Sequence, residues 1–343
     1  MKLSDFDYDL PQEYIAQTPL EKRDHSKLLV YNRVTQKHEI RHFYDIADYL
    51  NPGDVLVLNN TRVMPARLVG KKISTGADIE ILLLKKRGID TYEVLVKPLK
   101  RLRTGDSVVL GENVSAALLS KNEQDGTAVM RFFTAGKEIF ENVLERIGTA
   151  PLPHYITEKL KNSERYQTVY NRISGSSAAP TAGLHWTPEL LEKVKNKGVI
   201  VAEVLLHVGL GTFRPVKVEN ITEHNMHSEY YEISAESAAI IKKAKSENRR
   251  VICVGTTSLR TLEGSFAKHN RFCADRGETN IFIYPPYKSH VADALITNFH
   301  LPKSTLLMLV SAFVGREKIL ELYEIAKKNR FRFFSFGDSM LLC

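Results

Sequence analysis

The sequence predicts an α/β protein with two domains: a mixed α/β main domain and a small β-barrel domain inserted into it. After residue 162, nearly all-apolar strand segments alternate with amphipathic helical segments, as in a buried sheet covered by helices. Between Ala66 and Ala128, short strand-like segments are separated by turn residues at intervals of about 10, which is typical of a small barrel or sandwich. A chain of 343 residues is also too long for one simple hydrophobic core, so we expect two domains.

The main domain is predicted in two parts. Residues 1–61 contain a helical segment, DIADYLNPGD, which ends at Pro52, and then a buried strand, VLVLNN. The inserted barrel domain is predicted over 62–150, with KEIFENVLERIG as its closing helix. The main domain then resumes over 151–343.

Helix signals agree in the second part of the main domain. Thr187 can cap a helix that starts at Pro188 and ends before Gly198. The later segments are strand VIVAEVLLHVGLG, helix ESAAIIKKAKSEN, strand VICVG, helix SLRTLEGSFAKH, strands NIFIY and ADALITNF, and helix TLLMLVSAFVG. This alternation predicts a largely buried sheet with helices packed against it.

The charge balance permits two interpretations. Lysine and arginine outnumber aspartate and glutamate by 48 to 40, which gives a net charge of +8. An excess of positive charge favours a polyanionic partner such as a nucleic acid. A moderately basic enzyme without such a partner explains the same balance equally well.

Cysteine content and hydropathy indicate a cytoplasmic protein. The three cysteines, Cys253, Cys273 and Cys343, have no CxxC spacing, which argues against a disulfide framework, a cysteine–zinc site or an iron–sulfur cluster. The N-terminal residues do not form a signal peptide. The longest apolar run, LLMLVSAFV, is far shorter than the roughly 20 residues of a membrane span, so we expect no membrane association.

A run of very small residues precedes the helix at Pro188. In SSAAPTAGLHW, Thr181 and Gly183 lie in backbone that an extended ligand can approach closely, because glycine and alanine carry almost no side chain. His185 lies just before the helix, whose dipole would keep the imidazole neutral and able to accept a proton. Tight packing around a hydrogen-bonded histidine is the alternative.

Two further motifs combine glycine with arginine. In VGTTSLRTLE, Gly255, Thr256 and Thr257 begin a helix whose free N–H groups suit a carboxylate or phosphate, and Arg260 follows. Ordinary capping by Thr257 or Ser258 is the alternative. In LLHVGLGTFRPV, Arg214 could bind a carboxylate or phosphate, although a glycine turn with one exposed arginine explains the same residues.

Histidine and carboxylate side chains occur together in two motifs. EHNMHSEYYEI contains His227 and Glu229, and we favour a hydrogen-bonded acid–base pair over a metal site, because no third ligand has recognisable spacing. DALITNFHLPKST places Asp293, Asn298 and His300 along a strand and the turn after it, where a core strand would not normally carry so many polar side chains.

Together these motifs resemble one family. NNTRVMPARL, AAPTAGLH, LHVGLGTFRPV, HSEYYEI, VGTTSLRTLE, TNFHLPKSTLLMLVSAF and FFSFGDSML are similar, in matching order, to the S-adenosylmethionine:tRNA ribosyltransferase-isomerase family of queuosine biosynthesis. The resemblance covers essentially the whole chain. The sequence departs from the family pattern in the segment YPPYKSHVADAL, and this departure leaves the roles of Tyr287, Lys288 and His290 open.

The resemblance implies a reaction and its substrates. The ribosyl group of S-adenosylmethionine would be transferred and isomerised onto 7-aminomethyl-7-deazaguanine at the tRNA wobble position, giving epoxyqueuosine-tRNA, adenine and methionine. S-adenosylmethionine would be a consumed co-substrate, and no metal or redox cofactor would be needed. We expect a monomer. A non-catalytic RNA-binding protein and a methyltransferase are the rival interpretations.

Residue type and position in the motifs suggest roles for the candidate residues in this reaction. His185, His227 and His300 would form the acid–base group, with Glu229 and Asp293 as orienting or proton-accepting carboxylates. The substrate-binding residues would be Arg62, Thr181, Gly183, Arg214, Gly255, Thr256, Thr257, Arg260 and Asn298. Within this set, Gly255 to Thr257 and Arg260 would bind the methionine carboxylate or the tRNA backbone, and Arg62 and Arg214 would bind phosphates.

Overall fold

The chain forms two compact units. The computed structural model describes residues 1–111, 113–122, 126–136, 138–158, 160–209 and 216–343. The main unit comprises Met1–Arg62, Pro153–Ile173 and Ala179–Cys343, and the barrel unit comprises Val63–Leu152 and Ser174–Ala178. The predicted fold class, a mixed α/β main domain with an inserted β-barrel, is confirmed. The predicted domain bounds stay a prediction; the two compact units differ from them at Arg62, residues 151–152 and Ser174–Ala178.

The elements follow in chain order. The strands are β1 Lys27–Asn32, β2 Lys37–His42, β3 Val55–Asn59, β4 Thr61–Val63, β5 Arg67–Lys72, β6 Asp78–Gly88, β7 Thr91–Lys97, β8 Ser107–Gly111, β9 Val114–Asn122, β10 Thr127–Thr134, β11 Ile173–Ser176, β12 Ile200–Leu206, β13 Glu229–Ile233, β14 Val251–Val254, β15 Asp275–Thr279, β16 Ala294–Asn298 and β17 Ser339–Leu342. The helices are α1 Phe140–Ile147, α2 Pro188–Asn196, α3 Ala235–Ser246, α4 Gly255–His269, α5 Thr305–Val314 and α6 Arg316–Lys328. Short 3-10 helices span Leu3–Phe6, Gln12–Tyr14, Arg23–His25, Phe43–Tyr49, Leu99–Arg101, Ser163–Tyr166, Thr181–His185 and Ile221–Glu223.

The main unit is built on a nine-stranded mixed sheet of order β15-β13-β12-β3-β14-β16-β17-β1-β2. The four central strands β12, β3, β14 and β16 are parallel, and they are buried along most of their length. Parallel strands need helices on both faces, which accounts for their nearly all-apolar sequences. Antiparallel pairings lie towards the two edges, together with the parallel pair of β17 and β1, and the edge strand β2 is exposed along its whole length.

One face of this sheet packs on helix α2 and on the 3-10 helices at 43–49 and 181–185. Leu56, Ile252 and Ile296 from neighbouring strands pack there with Trp186, which is fully buried. The N-terminus of α2 forms as predicted, because the Thr187 hydroxyl accepts a hydrogen bond from the Leu190 N–H at 3.1 Å. This packing fixes the segment that carries His185.

The barrel unit is a closed antiparallel barrel of order β10-β7-β6-β5-β8-β9. Side chains alternate between a buried interior and an exposed exterior along β5, β6 and β7, as strand geometry requires. Helix α1 packs its apolar face on the barrel, where Phe140 stacks on Phe132 with ring centroids 4.3 Å apart. Closure pairs each of the six described barrel strands on both sides, so none of these strands is left as a free edge.

Two predicted elements differ in the structure. The NIFIY strand is absent at 280–284, and the polar segment Asp275–Thr279 forms the edge strand β15 instead. The helix DIADYL forms as the 3-10 helix Phe43–Tyr49. None of the helices that the structure describes is both long and apolar enough to cross a bilayer.

Candidate active site at one edge of the main sheet

The carboxyl ends of the central parallel strands bring several predicted motifs to one edge of the main sheet. Asn59 ends β3, Leu206 ends β12, Val254 ends β14 and Asn298 ends β16. Asn59 joins two of these ends: its amide donates to the Leu206 carbonyl at 3.0 Å, and its side-chain oxygen accepts from the Leu206 N–H at 3.0 Å. This edge is where open parallel sheets characteristically bind ligands.

His185 is a buried, fully hydrogen-bonded residue of this edge. Its Nδ1 lies 2.7 Å from the Ser26 hydroxyl, and its Nε2 lies 3.2 Å from the side-chain nitrogen of Asn298. The same Asn298 nitrogen also donates to the Phe334 carbonyl at 3.0 Å, so it faces Nε2 as a donor. Nε2 therefore accepts, and the proton of the neutral ring is on Nδ1.

Burial, and then the charge of Arg332, lower the pKa of His185 to about 3. The imidazole is neutral at neutral pH, as expected, and desolvation is the main cause. Because a base is most effective when its pKa is near the working pH, this histidine is suited to hydrogen bonding rather than to proton abstraction in the ligand-free protein.

Three arginines line a small cavity beside His185, and none of them was among the predicted site residues. The cavity has a volume of about 20 Å³, and Arg23, Arg165 and Arg332 line it together with His185 and Ser335. Arg23 donates to the backbone carbonyls of residues 167 and 164, at 2.7 and 2.9 Å. The arginines come from three distant segments without a motif spacing, so no local sequence signal could have identified them.

A buried ion pair joins β13 to α4. Glu229 and Arg260 are only 4% and 3% exposed, and the carboxylate of Glu229 accepts a hydrogen bond from Nη1 of Arg260. The second carboxylate oxygen of Glu229 accepts from the Gly209 N–H at 2.9 Å. Glu229 therefore pairs with Arg260, whereas a pair with His227 was predicted.

The guanidinium of Arg260 is only partly satisfied. Its Nε and Nη2 are buried and have no hydrogen-bond partner among the described residues, and the hydroxyl of Thr257, one turn earlier on α4, is also without one. A helical side chain leans towards the N-terminus of its helix, so Arg260 and Thr257 lie on the same face. Unsatisfied buried donors are rare in native proteins, and they indicate a position at which a ligand or water belongs.

His300 lies after the end of β16 in an aromatic environment. Its Nε2 is 2.8 Å from the Thr297 hydroxyl, and its backbone N–H donates to the Tyr323 hydroxyl at 2.9 Å. Burial lowers the pKa of His300 to about 3. Like His185, it is neutral near neutral pH.

Three predicted residues do not join these groups. His227 is exposed in the loop before β13. Asp293 precedes β16, at the opposite, amino-terminal edge of the sheet, where it pairs with Lys245 at 3.0 Å and accepts from the Val251 N–H at 2.8 Å. Arg62 forms an ion pair with Glu164 at 2.6 Å.

The glycine-rich motifs are only partly described. Thr181 and Gly183 lie in a 3-10 helix, and a Cβ at Gly183 would overlap the hydroxyl of Tyr170, so tight packing explains this glycine. Gly255 has a φ of +90° at the start of α4, a backbone conformation that favours glycine. Thr256 and Thr257 follow it in the first turn of α4. Arg214 lies outside the described residues.

His207 belongs to the same edge, although it was not among the selected site residues. Its Nδ1 lies 2.9 Å from the Thr61 hydroxyl, its ring stacks on Tyr230, and burial lowers its pKa. Its place at the end of a buried strand, beside a glycine motif, was the signal that could have selected it.

No metal centre is formed by the part of the chain that the structure describes, since no three of its His, Cys, Asp and Glu side chains cluster in a way that could hold an ion. His224 and His227, the two histidines with HxxH spacing in EHNMHSEYYEI, are not on one helical face, because the 3-10 helix Ile221–Glu223 ends before them. The HxxH spacing therefore does not have the helical geometry that a metal pair would use.

Comparison with known proteins covers the whole chain. Residues 3–342 match the family model described as queuosine biosynthesis protein. The S-adenosylmethionine:tRNA ribosyltransferase-isomerase of Desulfitobacterium hafniense is 55% identical over 342 residues, with 100% of both chains covered. The protein of the same name from Clostridioides difficile is 54% identical over 342 residues, again with 100% of both chains covered.

A solved structure is similar as well. The crystal structure of S-adenosylmethionine tRNA ribosyltransferase from Thermotoga maritima has 39% sequence identity and a TM-score of 0.57, covering 99% of this chain and 100% of that one. The family resemblance of the motifs is therefore confirmed over the full length. This chain belongs to the queuosine biosynthesis protein family.

Proposed function

We propose that this chain transfers and isomerises the ribosyl group of S-adenosylmethionine onto 7-aminomethyl-7-deazaguanine at the wobble position of tRNA. The products are epoxyqueuosine-tRNA, adenine and methionine. The observation that carries the proposal is the full-length identity of 54–55% to proteins named S-adenosylmethionine:tRNA ribosyltransferase-isomerase. The buried polar side chains at the carboxyl ends of the central strands support this proposal.

The proposed reaction consists of a proton transfer followed by the breaking and forming of covalent bonds. A base removes a proton from the 5′ carbon, which the adjacent sulfonium acidifies; adenine leaves, the amine of the deazaguanine attacks, and methionine departs as the epoxide closes. Positioning, general acid–base catalysis and electrostatic stabilisation are sufficient for such steps. We therefore propose no metal or redox cofactor, and S-adenosylmethionine acts as a consumed co-substrate.

The pKa shifts divide the proposed acid–base residues. His185 and His300, whose pKa values are lowered to about 3, act as neutral hydrogen-bonding groups. His227, exposed and two residues before Glu229, stays in the proposed acid–base group. Glu229 orients Arg260, and Asp293 has the narrower role of holding the amino-terminal edge of the sheet.

The proposed substrate contacts use the first turn of α4 and the glycine motifs. Gly255, Thr256, Thr257 and Arg260 bind the methionine carboxylate or a tRNA phosphate. The other residues assigned to substrate binding are Arg62, Thr181, Gly183, Arg214 and Asn298. The net charge of +8 supports approach to tRNA by long-range attraction. A cytoplasmic monomer is the form that we propose.

The experiment that tests the proposal follows all three products. The purified protein is incubated with S-adenosylmethionine and tRNA carrying 7-aminomethyl-7-deazaguanine, and adenine, methionine and the modified nucleoside are measured by chromatography and mass spectrometry. Equal release of adenine and methionine, dependent on that base, is expected. S-adenosylhomocysteine in their place would indicate a methyltransferase, and tRNA binding without products would indicate an RNA-binding protein.

A further inference from the structure

We infer that Arg260, Thr257 and Glu229 form the site for the α-amino-carboxylate end of S-adenosylmethionine, with the carboxylate on Arg260 and Thr257. The inference rests on the proposed function, because it takes S-adenosylmethionine as the ligand. It chooses between the two ligands that the first turn of α4 could bind, a carboxylate and a tRNA phosphate.

The free edge of Arg260 matches a carboxylate. Glu229 occupies Nη1, so the donors without a described partner are Nε and Nη2. These two N–H groups are parallel along one side of the planar guanidinium, which is the fork that binds both oxygens of a carboxylate. The Thr257 hydroxyl, unsatisfied on the same helical face, adds a third donor.

The charge balance favours a zwitterion over an anion. Arg260 and Glu229 neutralise one another, and both are buried. A phosphodiester would add an uncompensated negative charge to this buried pair, which is costly in a medium of low dielectric. An α-amino acid carries both charges, so its carboxylate can pair with Arg260 while its ammonium faces the carboxylate of Glu229.

Depth also argues against a tRNA phosphate. Arg260 is 3% exposed, and Thr256 and Thr257 in the first turn of α4 are 7% and 9% exposed, so a ligand must fit among buried side chains to reach the guanidinium. A narrow chain end can enter there, but a backbone phosphate flanked by two riboses is bulky. The positive end of the α4 dipole further stabilises a carboxylate at this position.

The test compares ligands that differ in this end alone. Calorimetric titration of the full chain measures the affinity for S-adenosylmethionine, for decarboxylated S-adenosylmethionine and for 5′-methylthioadenosine, which lacks the amino-acid end altogether. Loss of the carboxylate should weaken binding by roughly 10- to 100-fold, as expected for charge-assisted hydrogen bonds. Equal affinities for S-adenosylmethionine and its decarboxylated form, or no binding of S-adenosylmethionine, would overturn the inference.

Variants locate the effect. Arg260→Lys keeps the charge that balances Glu229 but loses the fork, so it should weaken S-adenosylmethionine more than the decarboxylated ligand. Thr257→Val removes one hydroxyl without changing the charge, and it provides a second test if Arg260→Lys does not fold. We expect Thr257→Val to weaken the binding of S-adenosylmethionine by roughly 2- to 10-fold and to leave the binding of the decarboxylated ligand unchanged. The exposed Arg271→Gln is the control and should leave both affinities unchanged. Weaker tRNA binding with unchanged S-adenosylmethionine binding would identify a phosphate site instead.

The inference and the proposed function fail in different ways. Selective binding through the carboxylate without adenine release would retain the site and reject the reaction. Adenine release by a protein that binds both ligands equally would retain the reaction and reject the site.

Discussion

The side-chain amide of Asn298 donates to Nε2 of His185 and to the carbonyl of Phe334, at 3.2 and 3.0 Å. This double contact defines Nε2 as an acceptor and holds the ring in its neutral form. If His185 were protonated, the N–H at Nε2 would face the side-chain N–H of Asn298, which is also a donor. The environment of the ring opposes the charged state mainly by burial, and then by the positive charge of Arg332, and these lower the pKa of His185.

The first prediction concerns acid sensitivity. The pKa values of His185 and His300 are about 3 in the folded protein, against 6.5 for an ordinary histidine. Between these values the unfolded chain binds more protons, so the free energy of unfolding should fall as pH decreases below 6.5 and be unaffected by these rings above it. The loss at pH 5 is expected to be about 2 kcal/mol for each ring.

Urea unfolding at pH 7, 6 and 5 measures this loss. His185→Gln and His300→Gln should each reduce the dependence of stability on pH, whatever their effect at pH 7. The exposed His38→Gln serves as the control. A slope that neither buried-site variant changes would show that these rings are not the source of the acid sensitivity.

The second prediction concerns Glu263, a fully buried carboxylate on α4. It accepts hydrogen bonds from the hydroxyls of Tyr287 and Ser289, at 2.7 and 2.6 Å, and from the N–H of Val291 at 2.9 Å. Glu263→Gln turns one acceptor oxygen into a donor that faces other donors, so stability should fall by about 2 to 4 kcal/mol. Hydrogen exchange of the Val291 amide should accelerate with it.

The surface variant Glu321→Gln is its control, since Glu321 forms only an i,i+3 pair with Lys318 on α6. Unchanged protection of the Val291 amide in Glu263→Gln would contradict the role of this carboxylate as the anchor of the segment.

The third prediction tests the packing at Gly183. A Cβ at this position would overlap the hydroxyl of Tyr170 and approach Thr168 at 2.7 Å. Gly183→Ala should destabilise the protein by about 1 to 3 kcal/mol through overpacking. The Tyr170 hydroxyl is buried without a partner among the described residues, so Tyr170→Phe alone should cost little and should lessen the cost of Gly183→Ala. Additive effects in thermal unfolding would exclude this overlap as the cause.

The fourth prediction separates a structural role from a catalytic role for Asp293. Asp293→Asn and Lys245→Gln break the same ion pair, and since both side chains are partly exposed each should cost about 1 kcal/mol. Adenine release should stay within about threefold of the original rate in both. A fall of about 10² in Asp293→Asn alone, with stability retained, would instead support the carboxylate as a participant in proton transfer.

Local sequence patterns predicted the helices and strands that carry a recognisable signal in their own residues. Thr187 and Pro188 marked the start of α2, and the apolar runs of β3, β14 and β16 marked the centre of the sheet, because buried parallel strands need such runs. The edge strand β15 escaped prediction since its sequence, DRGET, has no hydrophobic pattern. In NIFIY, Phe282 and Tyr284 instead pack on one another in a loop.

The choice of site residues stays a prediction, and the contacts between them could not be read from the sequence. Asn298 and His185 were both selected, but their hydrogen bond joins residues far apart in sequence and depends on the fold. The pairing of Glu229 with Arg260 likewise has no local spacing, so the neighbouring His227 was the natural but different choice. The cavity arginines Arg23 and Arg165 meet only through tertiary structure.

The connectivity of the main sheet has a consequence for the order of folding during synthesis. Leu28 of β1 pairs with Ser339 of β17, and Val55 of β3 with Ile200 of β12, so early strands must wait for partners made much later. The barrel is joined largely by hairpins between consecutive strands, whose loops close cheaply and quickly. A ribosome-bound chain can therefore complete the barrel ladders while β1 is paired with β2 alone and β3 has no partner in the main sheet, a period in which these apolar strands are prone to aggregation.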